Sequence, residues 1–147
     1  MTATDELIEF SKYLFNETTI EDYAHKNQAL RTCIHKSYYA AYHECKLLGD
    51  KLPQAENTDT GSHERLIQQL KNVPTSSAGN KKNAQRMRTI SRWLLQAKTL
   101  RCKADYLLDS EIDVREIEQH NINVKKILRD LPIIVNDLTP QQKTSNV

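Results

Sequence analysis

The chain has 147 residues, enough for one domain with a closed core and few for two. It is 38% apolar and 27% charged, which excludes both a disordered polyelectrolyte and a bundle of membrane spans. The formal charge is only +2, so the total does not demand a polyanionic partner. The placement of charge is uneven, however. Residues 1–24 carry Asp5, Glu6, Glu9, Glu17, Glu21 and Asp22 against Lys12. Residues 81–103 carry Lys81, Lys82, Arg86, Arg88, Arg92, Lys98, Arg101 and Lys103 with no acid among them.

Three glycines and four prolines leave long stretches without a helix breaker, and the pattern reads as all-α, a five-helix bundle. A first helix is expected over about residues 4–15, with Leu7, Ile8, Phe10, Tyr13 and Leu14 as its apolar stripe. Residues 16–22 read as a connector. A second helix is expected over about 27–48, ended by Gly49, with Leu30, Ile34, Tyr38, Ala41, Cys45 and Leu48 facing the core. Gly49, Pro53, Asn57, Asp59 and Gly61 punctuate a loop. Ser62 is placed to cap a short helix through Leu70, and residues 74–80 read as a second loop.

A long basic helix is expected over about 82–108. Its buried marks are Ile90, Trp93, Leu94, Ala97, Leu100, Ala104 and Leu107. Ser110 with Asp113 reads as a capping box before a last helix over about 111–129, buried through Ile112, Ile117, Val124, Ile127 and Leu128. Pro132 is expected to limit that helix. One domain over 1–134 and a loose tail over 135–147 follow.

Cys33, Cys45 and Cys102 are odd in number and lack metal-like spacing, so they read as free thiols of a reducing compartment. No leader and no apolar run of 18 residues is evident, which points to the cytoplasm. Neither a metal site nor a cofactor motif is expected. The chain has no HExxH, no glycine-rich phosphate loop and no G-x-S-x-G elbow.

The densest chemistry lies between His35 and His43, where three of the six tyrosines and two of the five histidines fall. Arg31, His35, Tyr39 and His43 stand four apart and form a ladder on one side of the second helix. Such a ladder either grips a phosphate beside a proton-transferring imidazole or forms a polar seam between helices. Arg101 and Asp105, also four apart, suit an ion pair beside Tyr106; Asp105 is also placed to orient a histidine. Arg115 and His120 supply the cation and the imidazole that metal-free RNA cleavage needs, although Glu116 and Glu118 between them would repel a phosphate unless paired elsewhere. The basic run, taken as Lys81, Lys82, Arg86, Arg88, Arg92 and Lys98, is the best phosphate-facing stretch. It also reads as a solvated face balanced by the acidic N-terminus.

Three pieces taken in order resemble the HEPN superfamily, in its branch with Tyr-Tyr-Ala-x-Phe-His and Arg-x-x-Ala-Asp-Tyr motifs. They are Lys36-Ser37-Tyr38-Tyr39-Ala40-Ala41-Tyr42-His43, then Gly61-Ser62-His63-Glu64, then Arg101-Cys102-Lys103-Ala104-Asp105-Tyr106. Tyr42 stands where the family has Phe, and Ile122 where a trailing tyrosine is usual. The resemblance implies a helical homodimer working on RNA or nucleotides, often as a metal-independent endoribonuclease of toxin-antitoxin or antiviral systems. It implies an Arg-x4-6-His motif at a dimer cleft, matched by Arg115 and His120; Arg31, His35, Tyr39, His43, Arg101, Asp105 and Tyr106 are expected to shape that cleft or to support it structurally. The alternative is a non-catalytic module acting with a nucleotidyltransferase-like or antitoxin partner.

Overall fold

The structure, a computed structural model, describes residues 2–16, 23–54 and 60–144. Among them lie six helices: α1 (Ala3–Asn16), α2 (Tyr23–Gly49), α3 (Ser62–Lys71), α4 (Thr75–Ala78), α5 (Lys81–Tyr106) and α6 (Val114–Thr144). No strand occurs among the described residues, so the chain is all-α. The expected count of five is corrected to six by α4, a single turn inside the expected 74–80 loop. Gly79 ends it at φ 88°, a conformation that side chains resist. The expected connector at 17–22 and Asn57 and Asp59 of the first loop lie outside the described residues.

α2 is the centre of the bundle: α1, α3, α5 and α6 all pack on it, and α5 also packs on α3, α4 and α6. The 3.6-residue periodicity explains its inner face. Ile34, Tyr38, Ala41, Cys45 and Leu48 are all buried. Tyr38, Ala41, Cys45 and Leu48 share one core with Leu66, Ile67 and Leu70 of α3, Met87, Ile90, Leu94 and Ala97 of α5, and Val124, Ile127 and Ile134 of α6, while Ile34 packs in a second cluster with Leu100, Ala104, Ile112 and Ile117. Each such aliphatic side chain contributes about 1.5–3 kcal/mol by leaving water. At Gly49 a Cβ would stand 2.6 Å from Leu66 Cδ1 and 2.8 Å from Gln69 Oε1. The bare backbone there lets α3 close on the end of α2, and Gln69 Nε2 donates to the Gly49 carbonyl at 2.7 Å.

Several sequence expectations are corrected in detail. Phe10 and Tyr13, expected inward, are 46% and 59% exposed, and Leu107 also faces out. α1 instead locks to α2 by exchange: Ser11 Oγ donates to the Cys33 carbonyl at 3.1 Å, and Cys33 Sγ donates to the Ser11 carbonyl at 3.2 Å. Burial pushes the Cys33 thiol up to about 11. Gly61, not Ser62, precedes the first helical residue of α3, and it makes no side-chain cap. The capping box lies three residues later than expected: Asp113 Oδ1 accepts from the Arg115 amide at 3.0 Å, and Glu116 Oε2 from the Asp113 amide at 2.9 Å.

α6 also runs through Pro132, where a stop was expected. An internal proline forfeits one backbone bond and costs about 3 kcal/mol. Pro132 sits on the exposed side, while Leu131 and Ile134 are buried beside it and Val135 and Leu138 pack on the core. Their burial offsets the loss. The boundary expected near residue 134 falls inside this helix. Among the described residues, no helix is long and apolar enough to cross a membrane.

Candidate functional site

Two flanks of the C-terminal half of α5 hold the residues singled out by the sequence. The first is the seam between α2 and α5. Here Arg31 is buried, and its guanidinium donates to the carbonyls of Lys103 (3.3 Å), Ala104 (2.9 Å), Leu107 (3.3 Å), Leu108 (3.3 Å) and Ser110, while Nε reaches Asn27 Oδ1 at 3.2 Å. These carbonyls belong to the end of α5 and the turn beyond, where the helix dipole is negative; those of Lys103 and Leu107 also accept from the Leu107 and Ser110 amides, while for Ala104, Leu108 and Ser110 the guanidinium takes the place of a helical donor. Arg31 therefore caps a helix, and its donors are committed.

One turn along α2, His35 Nδ1 lies 2.9 Å and 3.2 Å from the two carboxylate oxygens of Asp105. Asp105 Oδ2 also accepts from Arg101 Nη1 at 3.4 Å. The (i, i+4) pair and the histidine-orienting role expected of Asp105 thus coexist. A carboxylate only accepts, so the shared proton is on Nδ1 and the lone pair of a neutral His35 ring is on Nε2. The His35 side chain is 38% exposed, and it borders a recess of about 210 Å³ lined also by Gln28, Thr32 and Leu108.

Farther up α2 the rings form one contiguous cluster. His35 meets Tyr39 at 4.7 Å between centroids, Tyr39 meets His43 at 6.0 Å, and His63 of α3 stacks on Tyr42 at 4.1 Å. Arg101 is buried with its guanidinium carbon 5.1 Å from the Tyr38 ring, 5.7 Å from Tyr39 and 5.9 Å from Tyr106. Its Nε has no partner among the described residues. The Tyr38 hydroxyl, held protonated chiefly by burial, is hydrogen-bonded to His63 Nδ1 at 2.6 Å. Burial, then Arg101, Lys98 and the nearby His43, lower the pKa of His63.

The second flank is a groove of about 1140 Å³ between α5 and α6. Leu95, Leu100, Tyr106 and Leu107 line it, with Lys103, Arg115 and His120. Arg115 is exposed on the first turn of α6. His120 is only 2% exposed. Its Nε2 lies 2.8 Å from Ser37 Oγ, whose own proton is directed to the Cys33 carbonyl at 2.8 Å. Nε2 is therefore the donor, and Nδ1 is left without a partner among the described residues. Burial pushes the His120 pKa down to about 4, against the pull of the Ile34 carbonyl. The repulsion expected from Glu116 is cancelled: its carboxylate holds Lys103 Nζ at 3.0 Å and 3.1 Å.

The basic run divides in the fold. Arg86 reaches Asp137 at 3.9 Å and Lys98 reaches Glu64 at 3.2 Å, so two of its cations are matched by the bundle's own acids. Lys81, Lys82, Arg88 and Arg92 are exposed. Among the described residues no three His, Cys, Asp or Glu side chains come together as a metal set.

Sequence reasoning missed Ser37 as the partner of His120 and Tyr38 as the partner of His63. The burial of His120 did have a signal. His120 follows Ile117 by three residues and precedes Val124 by four, which puts it on the inner face of α6. Comparisons of the chain with protein-family models, with curated proteins and with solved structures give no match.

Proposed function

We propose that this chain is a HEPN-type RNA-directed protein that cleaves single-stranded RNA without a metal, with His35 as the proton acceptor. The observation that carries the reading is the His35–Asp105 pair at the mouth of a recess. Metal-free cleavage begins when a base takes the 2′-hydroxyl proton. In this reading that proton goes to His35 Nε2, the 2′-oxygen bonds to the adjacent phosphorus, and the phosphorus–5′-oxygen bond breaks. The leaving oxygen takes a proton from water. The products are a 2′,3′-cyclic phosphate and a 5′-hydroxyl. Asp105 positions the imidazole, while Arg101 and Arg31 place positive charge behind the recess. Arg115 and His120 match the family motif, but a substrate hydroxyl would have to enter a buried niche to reach His120.

A second reading is a non-catalytic module that binds a nucleotidyltransferase-like or antitoxin partner. It is favoured by the commitment of Arg31, Tyr38 and His63 to bonds within the fold. Purified protein in chelator, offered a panel of single-stranded RNAs, separates the two. Cleavage is expected to leave cyclic phosphate ends. His35→Gln is expected to slow it by about 10²–10⁴-fold with the helical spectrum intact. Normal cleavage by His35→Gln together with loss in Arg115→Ala and His120→Gln would move the chemistry to the groove. A wild type that cuts no RNA in the panel would leave the binding module.

A further inference from the structure

The outer edge of α5 changes character along its length. Arg88, Arg92, Leu95, Thr99, Cys102 and Tyr106 follow one another at spacings of four, three, four, three and four, so they form one strip on a single helical face. All are exposed except Cys102, which is partly buried. The N-terminal end of the strip is basic and the C-terminal end is apolar.

At the basic end lies a hollow of about 400 Å³ between α3 and α5, with Lys71, Arg88 and Arg92 around it and Ile67 and Leu95 in its walls. No acid lines it. Among the described residues none of the three cations has an ion-pair partner. Lys71 lends its field to Glu64, but that carboxylate is already bonded to Lys98 at 3.2 Å and to Gln68 at 3.3 Å. Three unmatched cations around one concavity favour an anion.

At the apolar end the strip becomes one wall of the α5–α6 groove of about 1140 Å³, which shares Leu95 with the hollow. Leu95, Tyr106 and Leu107 are 45%, 72% and 58% exposed there. Apolar surface gathered in this way marks a contact site. Lys103 is held by Glu116, and Arg115 is a lone cation beside that same acid, so the strongest anchor for an anion is the hollow. An RNA strand would find cations at one end and would have to lay the rest of its charged backbone on Leu95 and Leu107. A bilayer would need a convex apolar face, whereas this one is sunk between two helices. The pairing of a charged hollow with an apolar trough suits a molecule that has one charged end and one chain.

We propose that this strip binds a free single-chain amphiphile with an anionic head, an alkyl or acyl phosphate or carboxylate. Its head lies among Lys71, Arg88 and Arg92, and its chain runs over Leu95 toward Leu107. The stretch from Leu95 to Leu107 is about 18 Å along α5. An extended chain advances about 1.2 Å per bond, so the trough takes about 15 bonds. The proposal does not rest on the RNA reading, and it uses none of the residues given a part in proton transfer.

Isothermal titration with alkyl phosphates, each held below its micelle concentration, tests this. Dodecyl phosphate is expected to bind wild type in a single site. Inorganic phosphate, which is the head alone, and dodecyltrimethylammonium, which is the same chain with the opposite charge, are each expected to bind at least about tenfold more weakly. From octyl to tetradecyl phosphate each added methylene is expected to tighten binding by about two- to fourfold, with no further gain at hexadecyl, where the trough has run out. Arg88→Gln with Arg92→Gln is expected to weaken every member of the series by about tenfold or more. Leu107→Ser, at the far end, is expected to weaken tetradecyl phosphate by about threefold or more and to leave octyl phosphate unchanged. These three positions are exposed, a retained helical spectrum verifies folding, and the length series in wild type needs no variant at all. Wild type that binds no member of the series would overturn the proposal. Equal binding of the cationic amphiphile, or an arginine variant that binds like wild type, would show an adventitious detergent only and would overturn it too. So would chain lengths that all bind alike and are displaced by single-stranded RNA, which is the behaviour of a basic face open to any phosphate. Binding to anionic vesicles with no binding of monomeric amphiphile would make the strip a membrane surface and would reject the proposal as well.

Discussion

Toward α2, α5 presents Arg101 and Asp105 to a seam in which guanidinium, imidazole, phenol and carboxylate are joined to one another. Toward α6, the same half of α5 presents Leu95 and Lys103 to an open groove. The two histidines show the contrast best. His35 is tethered through one nitrogen and borders a recess with a good part of its ring in water; His120 is sealed, neutral and bonded to Ser37. A histidine that a carboxylate orients and solvent reaches is equipped for proton transfer. One buried at the back of a groove is equipped to hold two helices together. The difference teaches that a motif's spacing does not say which of its members retains access to substrate.

The contrast predicts a ranking of stability effects, read from urea unfolding followed by circular dichroism. The largest belongs to the seam. Arg31→Met leaves the carbonyls of Ala104, Leu108 and Ser110 without the donor that the guanidinium supplies and should cost about 3 kcal/mol. A loss below about 1 kcal/mol would mean that water replaces the guanidinium, and the seam would be no tighter than the groove.

Next comes the buried back of the groove, where pH is the probe. His120 ordinarily titrates near 6.5 and is held down at about 4 in the fold. The unfolded ring therefore takes up its proton first as pH falls. The stability contributed by the neutral ring is intact above about 6.5, is lost progressively below that, and levels off below about 4. The share lost is roughly 3 kcal/mol. His120→Gln should lack this share of the acid sensitivity. Equal losses in variant and wild type between those pH values would show that His120 is wetter than its burial implies.

Smaller effects are expected at the entrance of α6. Asp113→Ala removes the acceptor of the Arg115 amide and should cost about 1 kcal/mol. Arg115→Ala, on the open wall of the groove, should change stability by less than about 0.5 kcal/mol. A larger loss would reveal a structural role for that guanidinium, and would blur the line between the two flanks.

Much of the fold was legible because periodicity reports burial directly. The inner faces of α2 and α5 follow from Ile34, Tyr38 and Cys45 and from Ile90, Leu94 and Ala97. What misled was local grammar without its tertiary context. Phe10 and Tyr13 look like core because apolar residues usually pack inward, but α1 needs only one side to meet α2. Pro132 looks like a stop because its local cost is visible and the burial of Leu131 and Ile134 on either side of it is not. The site was legible in part. The spacing of Arg101 and Asp105 suggested their pair, and the presence of histidines left Asp105 a second role. The role of Arg31 could not be read, because its acceptors are backbone carbonyls, which every residue has.

The reach of Arg31 also bears on the order in which the chain is assembled. Its carbonyl partners lie 72 to 79 residues downstream. On a ribosome, α2 is therefore complete long before anything exists to receive that charge. Before residue 103 has emerged, the guanidinium has only water and its own helix for company, and until Ser110 follows, sealing α2 against α5 would bury an incompletely matched cation. The seam is thus a late, long-range closure, and chains halted before residue 110 should hold α2 and α5 apart. Amide exchange in the last turn of α5 would record that moment, staying fast in a nascent chain ending at residue 106 and slowing once the turn after it is made.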